Sequence, residues 1–126
     1  MLIIGIMIGG ALGALSRYLV TIYIQKGLGS SLANFPLGTL TVNLIGAFLL
    51  SFLLFSDYFG LNQNWKLAIG TGFLGALTTF STFELESYEL ISNGRYSLAF
   101  INIIGSIVLG LVAVFLGHRL AIVLKS

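Results

Sequence analysis

The sequence predicts an all-α membrane protein with four transmembrane helices, and three observations support this fold class. The 126 residues are 57% hydrophobic and only 8% charged, whereas soluble domains carry about 25% charged residues. Four stretches are long and apolar enough to cross a bilayer, which takes about 20 residues. The connections between them are short, so we expect residues 1–126 to form a single transmembrane domain.

Composition also excludes several classes of function. The net charge is only +2 and no run of basic residues occurs, so we expect no nucleic-acid partner. The chain has no cysteine, which excludes disulfides and thiol chemistry. Residues 70–75 match the pattern G-x-G-x-x-G, but that motif binds dinucleotides only between a strand and a helix, and here it lies in an apolar span. We therefore do not expect an enzyme.

The first span is predicted over residues 2–24. No Lys or Arg precedes it, which argues against a secretory signal peptide. Gly5, Gly9 and Gly13 recur every four residues, a pattern that brings helix backbones together, either within one chain or across a dimer. Arg17 lies inside the span, where a charge costs about 2.5–3.5 kcal/mol at the centre. Two interpretations stay open for it: an anchor at the helix end, or a residue of an ion vestibule.

The second span is predicted over residues 37–56, and one of its faces is polar. Small or polar side chains recur there every four residues: Thr39, Asn43, Ala47 and Ser51. Asn43 is the strongest donor and acceptor of this stripe. It either makes a hydrogen bond to another helix or forms part of a binding site.

The third span is predicted over residues 65–90, which is more than one crossing needs. Gly70, Gly72 and Gly75, followed by the pair Thr78-Thr79, predict an interruption of this helix near its middle. A broken membrane helix occurs only where the freed backbone lines a cavity or is buried in protein. Such a break exposes carbonyls that suit cations and N–H groups that suit anions.

The fourth span is predicted over residues 96–124. It repeats the polar spacing of the second span, because Asn102, Ser106 and Gly110 again lie four residues apart. Three of the predicted helices therefore carry a polar stripe or a polar interruption, which a helix that only anchors a protein in lipid does not need.

The polar residues of these spans favour an anion over a cation. Cation paths use carboxylates or rings of carbonyls, and we interpret the acidic residues of the third span as its solvated end: Glu84, Glu86 and Glu89. Neutral donors remain at mid-depth and suit a small anion: Asn43, Ser81, Thr82 and Ser106.

Two aromatic residues add to this pattern. Phe80 and Phe83 lie on one helix face, where their electropositive ring edges suit an anion, although simple packing is the alternative. Dehydrating an ion costs about 20 kcal/mol in the idealised limit, whereas one charge-assisted hydrogen bond returns about 1.5–3 kcal/mol. Several donors are therefore needed, and because four short spans cannot enclose a pore alone, we expect an oligomer.

The charges at the ends of the spans are nearly balanced. Lys66, Arg119 and Lys125 are expected on one side of the membrane, and Lys26 and Arg95 on the other. The positive-inside rule then gives little preference for either orientation. We expect that the chain inserts both ways and that two oppositely oriented copies pair.

Two other functions are compatible with a chain of four spans. A small proton-coupled multidrug exporter would need a carboxylate inside the membrane to bind its cationic substrate, and the first span has none. An assembly subunit that transports nothing would not need hydroxyl and amide groups aligned on three helices.

Residues 75–83, with the sequence GALTTFSTF, resemble the signature of the Fluc/CrcB family of fluoride ion channels. The chain also matches this family in Arg17-Tyr18, in Asn43 followed by Gly46, and in Asn102 followed by Gly105-Ser106. The resemblance covers the whole chain and implies a passive, fluoride-selective channel that exports fluoride from the cytoplasm and lowers its toxicity. It also implies a multi-pass protein of the bacterial inner membrane that forms an antiparallel, dual-topology homodimer with two pores.

The resemblance assigns roles to individual residues as well. It implies a fluoride path lined by two ring edges, one amide and several hydroxyls: Phe80, Phe83, Asn43, Thr82, Ser106 and Ser81. It implies a structural sodium ion at the dimer interface, bound by the backbone carbonyls of Gly75 and Thr78 in each subunit. Arg17 and Glu86 are candidates for the vestibules.

Overall fold

The computed structural model describes residues 1–27 and 35–125, and these residues form helices and short connections without any strand. The helices are α1 (Leu2–Gly27), α2 (Leu37–Phe55), α3 (Gln63–Leu67), α4 (Gly75–Leu77), α5 (Phe80–Ser92) and α6 (Tyr96–Lys125), and a π-helical segment (Ala68–Leu74) joins α3 to α4. Among these residues, α1, α2 and α6 are each long and apolar enough to cross a membrane. The all-α prediction is confirmed, and the predicted bounds of these three spans differ by at most a few residues from the helices.

The third span is interrupted, as the sequence predicts. The helical run that begins at Gln63 stops after Leu77, because Thr78 and Thr79 adopt extended backbone conformations with ψ of 157° and 124°. The side chain of Thr79 then caps α5 by accepting a hydrogen bond from the N–H of Thr82 at 3.3 Å. Joined across this break, α3 to α5 form a bent crossing, the third in chain order, which brings the number of crossings to four.

Helix α1 packs on the first half of the broken helix through its glycines. A Cβ at Gly9 would lie 2.7 Å from the carbonyl oxygen of Ala68, and one at Gly13 would collide with the carbonyl of Phe73. The small-residue stripe of the first span therefore serves contact within the chain, which decides between the two interpretations of that stripe. The predicted connection over residues 25–36 lies partly outside the described residues.

Helices α2 and α6 pack together along most of their length. Gly117 is buried against the backbone of Phe48 and Phe52, and the Ser51 hydroxyl donates to the carbonyl of Val114 at 2.7 Å. Small residues and a hydroxyl at the contact are typical of helix pairs in membranes, where lipid provides no hydrophobic drive for association.

One ionic cluster joins the ends of three elements on one side of the molecule. Asp57, just after α2, accepts hydrogen bonds from Lys66 and Lys125, each at 3.2 Å. Lys66, and after it Lys125, hold the pKa of Asp57 below its ordinary value, because a carboxylate beside two ammonium groups is stabilised in its charged form. Lys66 and Lys125 thus lie on the same side, as predicted.

Candidate functional site

A cleft of about 550 Å³ lies beside the helix break and opens to one side of the molecule. Helices α2, α4, α5 and α6 supply its walls. Six residues to which the resemblance assigns a fluoride or sodium contact line it: Asn43, Gly75, Thr78, Phe80, Phe83 and Ser106. The fold therefore brings together residues from three separate predicted spans.

Asn43 holds the break in its extended form. Its Oδ1 accepts from the backbone N–H of Thr79 at 2.7 Å, and its Nδ2 donates to the carbonyl of the same residue at 3.1 Å. This two-point contact satisfies the backbone of Thr79 as a neighbouring strand would. Asn43 thus links two membrane segments by hydrogen bonds. One of the two hydrogens of its Nδ2 remains for a second acceptor. A role in ion binding stays a prediction.

Two backbone carbonyls at the break lose the N–H partners that they would have in a continuous helix. In an uninterrupted helix, the N–H of Thr79 would bond to the carbonyl of Gly75, but it donates to Asn43 instead. Likewise, the N–H of Thr82 would bond to the carbonyl of Thr78, but it donates to the Thr79 hydroxyl. The family resemblance assigns these two carbonyls to a sodium ion. Neither receives the N–H that it would receive in an uninterrupted helix, and backbone carbonyls at a helix break suit a hard cation.

Arg17 covers a third carbonyl of the break. Its Nε donates to the carbonyl oxygen of Ala76 at 3.0 Å. That carbonyl lies at the C-terminal end of a helical run, where the helix dipole favours a positive charge. Arg17 therefore makes a structural contact with the end of another helix, whereas the sequence suggests an anchor at the end of its own helix, which continues to Gly27. A role in a vestibule stays a prediction.

Phe80 and Phe83 form a pair beside the cleft, with ring centroids 5.9 Å apart and planes inclined at 47°. Their surroundings differ, because Phe83 is 7% exposed whereas Phe80 is 74% exposed. A ring so exposed on an isolated chain is not packed in its core. The alternative that both rings merely fill the interior of one chain therefore does not explain Phe80.

The hydroxyls at the start of α5 lie around Thr79. Thr79 donates to the Thr82 hydroxyl at 3.1 Å, and its oxygen lies 3.4 Å from that of Ser81. Neither Ser81 nor Thr82 belongs to the lining of the cleft within the described residues. Their place in an ion path stays a prediction that needs either a second copy or a different rotamer.

Ser106 lines the cleft from α6, and two buried residues stand behind it. Asn102 donates to the Ser87 hydroxyl at 2.9 Å, and Ser87 donates to the carbonyl of Phe83 at 2.7 Å. Ser87 is a residue of this site that the sequence pattern did not single out. The available signal was its position four residues after Phe83, which puts its hydroxyl within reach of that carbonyl.

Glu86 lies in a second cavity, of about 450 Å³, at the end of α5. Thr39 donates to its Oε1 at 2.8 Å, and Oε2 is buried without a hydrogen-bond partner among the described residues. The polar stripe of α2 thus makes two contacts. Thr39 bonds to the carboxyl group of Glu86, and Asn43, one turn later, bonds to the backbone of the break. Glu86 is therefore less solvated than the end of a helix in water, which was the favoured interpretation of the acidic residues.

The chemistry of the cleft is that of neutral donors beside freed backbone groups. The described residues contain no group of three or more His, Cys, Asp or Glu side chains that could hold a metal ion. Among the described residues, none that lines the cleft is acidic. Most of its wall is apolar, and the amide of Asn43 and the hydroxyl of Ser106 are among the few polar side chains that an anion entering it would meet.

Comparison with known proteins gives a consistent result. A family described as "CrcB-like protein, Camphor Resistance (CrcB)" matches residues 4–118. A protein of Hydrogenobaculum sp. named fluoride-specific ion channel FluC is 47% identical over 93% of this chain and 94% of its own length. Proteins of the same name from Pyrococcus abyssi and Methanocaldococcus jannaschii are 42% and 44% identical, over 92% and 97% of this chain and 92% and 94% of their own lengths.

Proposed function

The chain belongs to the CrcB-like family of fluoride-specific ion channels, and from that premise we propose how it conducts fluoride passively out of the cytoplasm and lowers fluoride toxicity. It is a multi-pass membrane protein and a channel rather than an enzyme. The single observation that carries the proposal is the cleft, where donors and ring edges from three spans meet beside a helix break.

Fluoride passes along this cleft by exchanging water for protein groups. The edges of Phe80 and Phe83 face the ion on one side, and Asn43 and Ser106 donate hydrogen bonds to it. No single group offsets the loss of hydration, since one charge-assisted hydrogen bond returns about 1.5–3 kcal/mol. Several groups that bind the ion one after another along the cleft hold it weakly enough at each point for it to leave, as conduction requires.

A second copy of the chain closes the path. The cleft is open on one side, and Phe80, at its edge, is 74% exposed on the isolated chain. An antiparallel partner would cover both and would form two equivalent pores related by an axis in the membrane plane. The near balance of Lys and Arg between the two ends supports such a dual-topology homodimer.

A sodium ion on the dimer axis would hold the two breaks together. The carbonyls of Gly75 and Thr78 are its ligands, and the diversion of their usual N–H partners supports this assignment. The sodium ion would neutralise the carbonyl ends of two half-helices that meet at the axis. It is structural and takes no part in fluoride transfer.

The remaining site residues belong to the approaches. Ser81 and Thr82 continue the polar track where the partner covers the start of α5. Arg17 supplies positive charge near the vestibule, and Glu86 lies at its far end with Thr39. In a bacterial cell, we expect the protein in the inner membrane.

The exporter alternative has no support. The relatives named above are named fluoride-specific ion channels, and within the described part of the chain no acidic residue lines the cleft to bind a cationic drug.

Flux from liposomes tests the function. Purified protein is reconstituted with potassium fluoride or potassium chloride inside, and valinomycin carries the compensating charge. We expect rapid fluoride efflux without a proton gradient and retention of chloride. Equal efflux of both halides, or efflux only when protons move, would overturn the proposal.

Thiol labelling tests the dual topology, because the chain has no native cysteine. Asn64→Cys and Asn93→Cys introduce thiols at exposed positions of opposite ends of the third span. A membrane-impermeant maleimide applied to intact cells should label about half of each variant if both orientations occur. Complete labelling of one variant and none of the other would show a single orientation.

A further inference from the structure

Behind the cleft, three polar side chains form one hydrogen-bonded chain between α6 and α5. The Ser106 hydroxyl donates to Asn102 Oδ1 at 3.5 Å, Asn102 Nδ2 donates to Ser87 Oγ at 2.9 Å, and Ser87 donates to the carbonyl of Phe83 at 2.7 Å. Asn102 and Ser87 are 2% and 5% exposed. Only Ser106 reaches the cleft.

Each hydrogen bond in this series has a fixed donor and a fixed acceptor. A serine hydroxyl has one hydrogen, and that of Ser87 is used by the carbonyl of Phe83. The oxygen of Ser87 can therefore only accept, so the group that faces it must be the NH₂ of Asn102. The amide is held in one orientation, and its acceptor, Oδ1, points at Ser106.

This orientation sets up a competition for a single proton. Among the described residues, the only hydrogen bond to Asn102 Oδ1 comes from Ser106. When the Ser106 hydroxyl turns to donate to an anion, Oδ1 is left buried and unpaired, which is unfavourable. We propose that Asn102 is a positioning residue that competes with fluoride for the proton of Ser106 and so weakens fluoride binding in the cleft.

This inference rests on the proposed function, in which Ser106 donates to the ion. Its consequence is kinetic. A site that holds the ion less tightly releases it faster, and a channel conducts only if each site lets the ion leave. Asn102 itself does not touch the ion. It speeds release by offering Ser106 an alternative acceptor, and the long 3.5 Å distance makes that acceptor easy to abandon when the ion arrives.

The variant Asn102→Leu removes the competing acceptor at similar side-chain volume. We expect the fluoride concentration for half-maximal flux to fall about twofold to threefold, the lower end of the worth of one neutral hydrogen bond, because the 3.5 Å contact is a weak one. Saturating flux should fall by a similar factor because release is slower, while flux at low fluoride, set by entry, should stay near the wild-type value. A merely structural defect would lower flux at every concentration.

Two further variants make the test decisive. Ser87→Ala releases the amide of Asn102 to rotate, so it should shift half-saturation in the same direction by a smaller factor, even if Asn102→Leu does not fold. In a Ser106→Ala background, Asn102→Leu should have no further effect on half-saturation, because the contested proton is gone. This double-mutant cycle isolates the coupling between the two residues.

The outcomes separate the inference from the function on which it rests. A wild-type protein that passes no fluoride would refute the function itself. Unchanged half-saturation in both Asn102→Leu and Ser87→Ala, in a protein whose Ser106→Ala variant is impaired, would overturn the inference alone. An equal effect of Asn102→Leu with and without the Ser106 hydroxyl would also overturn it.

Discussion

Replacing Asn43 by aspartate exchanges one nitrogen for one oxygen and tests both roles of this residue at once. The carboxylate still accepts from the N–H of Thr79, which lies 2.7 Å from Oδ1. It loses the donor that lies 3.1 Å from the Thr79 carbonyl, where it now opposes one oxygen with another. It also adds a negative charge to the lining of the cleft.

The expected effect on flux is large because the charge stands beside the path of an anion. Two like charges about 4 Å apart repel by about 4 kcal/mol at an effective dielectric constant of 20. If the whole of that energy is added to the barrier, fluoride flux falls roughly a thousandfold. We therefore expect Asn43→Asp to be nearly silent in the liposome assay while chloride remains excluded.

Two control variants separate charge from structure. Asn43→Leu loses both hydrogen bonds to Thr79 but adds no charge, so it damages the break more than aspartate does. Asn62→Asp adds the same charge outside the spans, where Asn62 Oδ1 caps α3 through the N–H of Trp65 at 3.0 Å and aspartate caps equally well. We expect the order of flux to be Asn62→Asp, then Asn43→Leu, then Asn43→Asp. If Asn43→Asp conducts as well as or better than Asn43→Leu, no anion passes close to this side chain.

Three further predictions concern the rings, the glycine contact and the ionic cluster. Phe80→Ile and Phe83→Ile should each suppress fluoride flux while leaving the proposed dimer intact by size-exclusion chromatography, and normal flux in both would mean that the rings only pack. Gly13→Ala should destabilise the protein by about 1–3 kcal/mol, because its Cβ meets backbone. The matched Gly10→Ala, whose nearest atom is 3.9 Å away, should not destabilise it, and equal melting temperatures would refute the contact. Lys66 and Lys125 lower the pKa of Asp57 in the folded protein. The carboxylate therefore stabilises the fold at pH values above its ordinary pKa of 3.8, and this stabilisation is lost as the pH falls through the lowered pKa. The difference in melting temperature between the wild type and Asp57→Asn should therefore vanish in acid, and a difference that persists there would contradict this account.

Much of the architecture is predictable from the sequence because lipid leaves few choices. A stretch of apolar residues that crosses a membrane must be helical, so the number and approximate bounds of the crossings follow from hydropathy alone. The break after Leu77 is predictable too, since glycines and paired threonines weaken a helix that is longer than one crossing needs. The four-residue spacing also placed Asn43 and Ser106 correctly on faces that meet.

What the sequence does not predict is which polar group meets which. The contact of Arg17 with the carbonyl of Ala76 depends on the register between α1 and the broken helix, which glycine contacts along α1 determine. The contact of Asn102 with Ser87 depends on the rotation of α5 after the break. Spacing places side chains on faces, but the pairing across two faces is a tertiary property. For the same reason, the sequence does not predict that the hydroxyls of Ser81 and Thr82 lie around that of Thr79.

The break is stabilised because three backbone groups make hydrogen bonds to side chains and not to other backbone groups of the helix. An uninterrupted helix would need the N–H of Thr79 for Gly75, the carbonyl of Ala76 for an N–H one turn later, and the N–H of Thr82 for Thr78. Asn43, Arg17 and the Thr79 hydroxyl bind these groups instead. Asn43 therefore shapes the cleft and also frees the Gly75 carbonyl, so that loss of its amide would let Thr79 return to that carbonyl. The proposed anion path and the proposed sodium ligands are thus coupled through one side chain, and we expect a change at Asn43 to alter both.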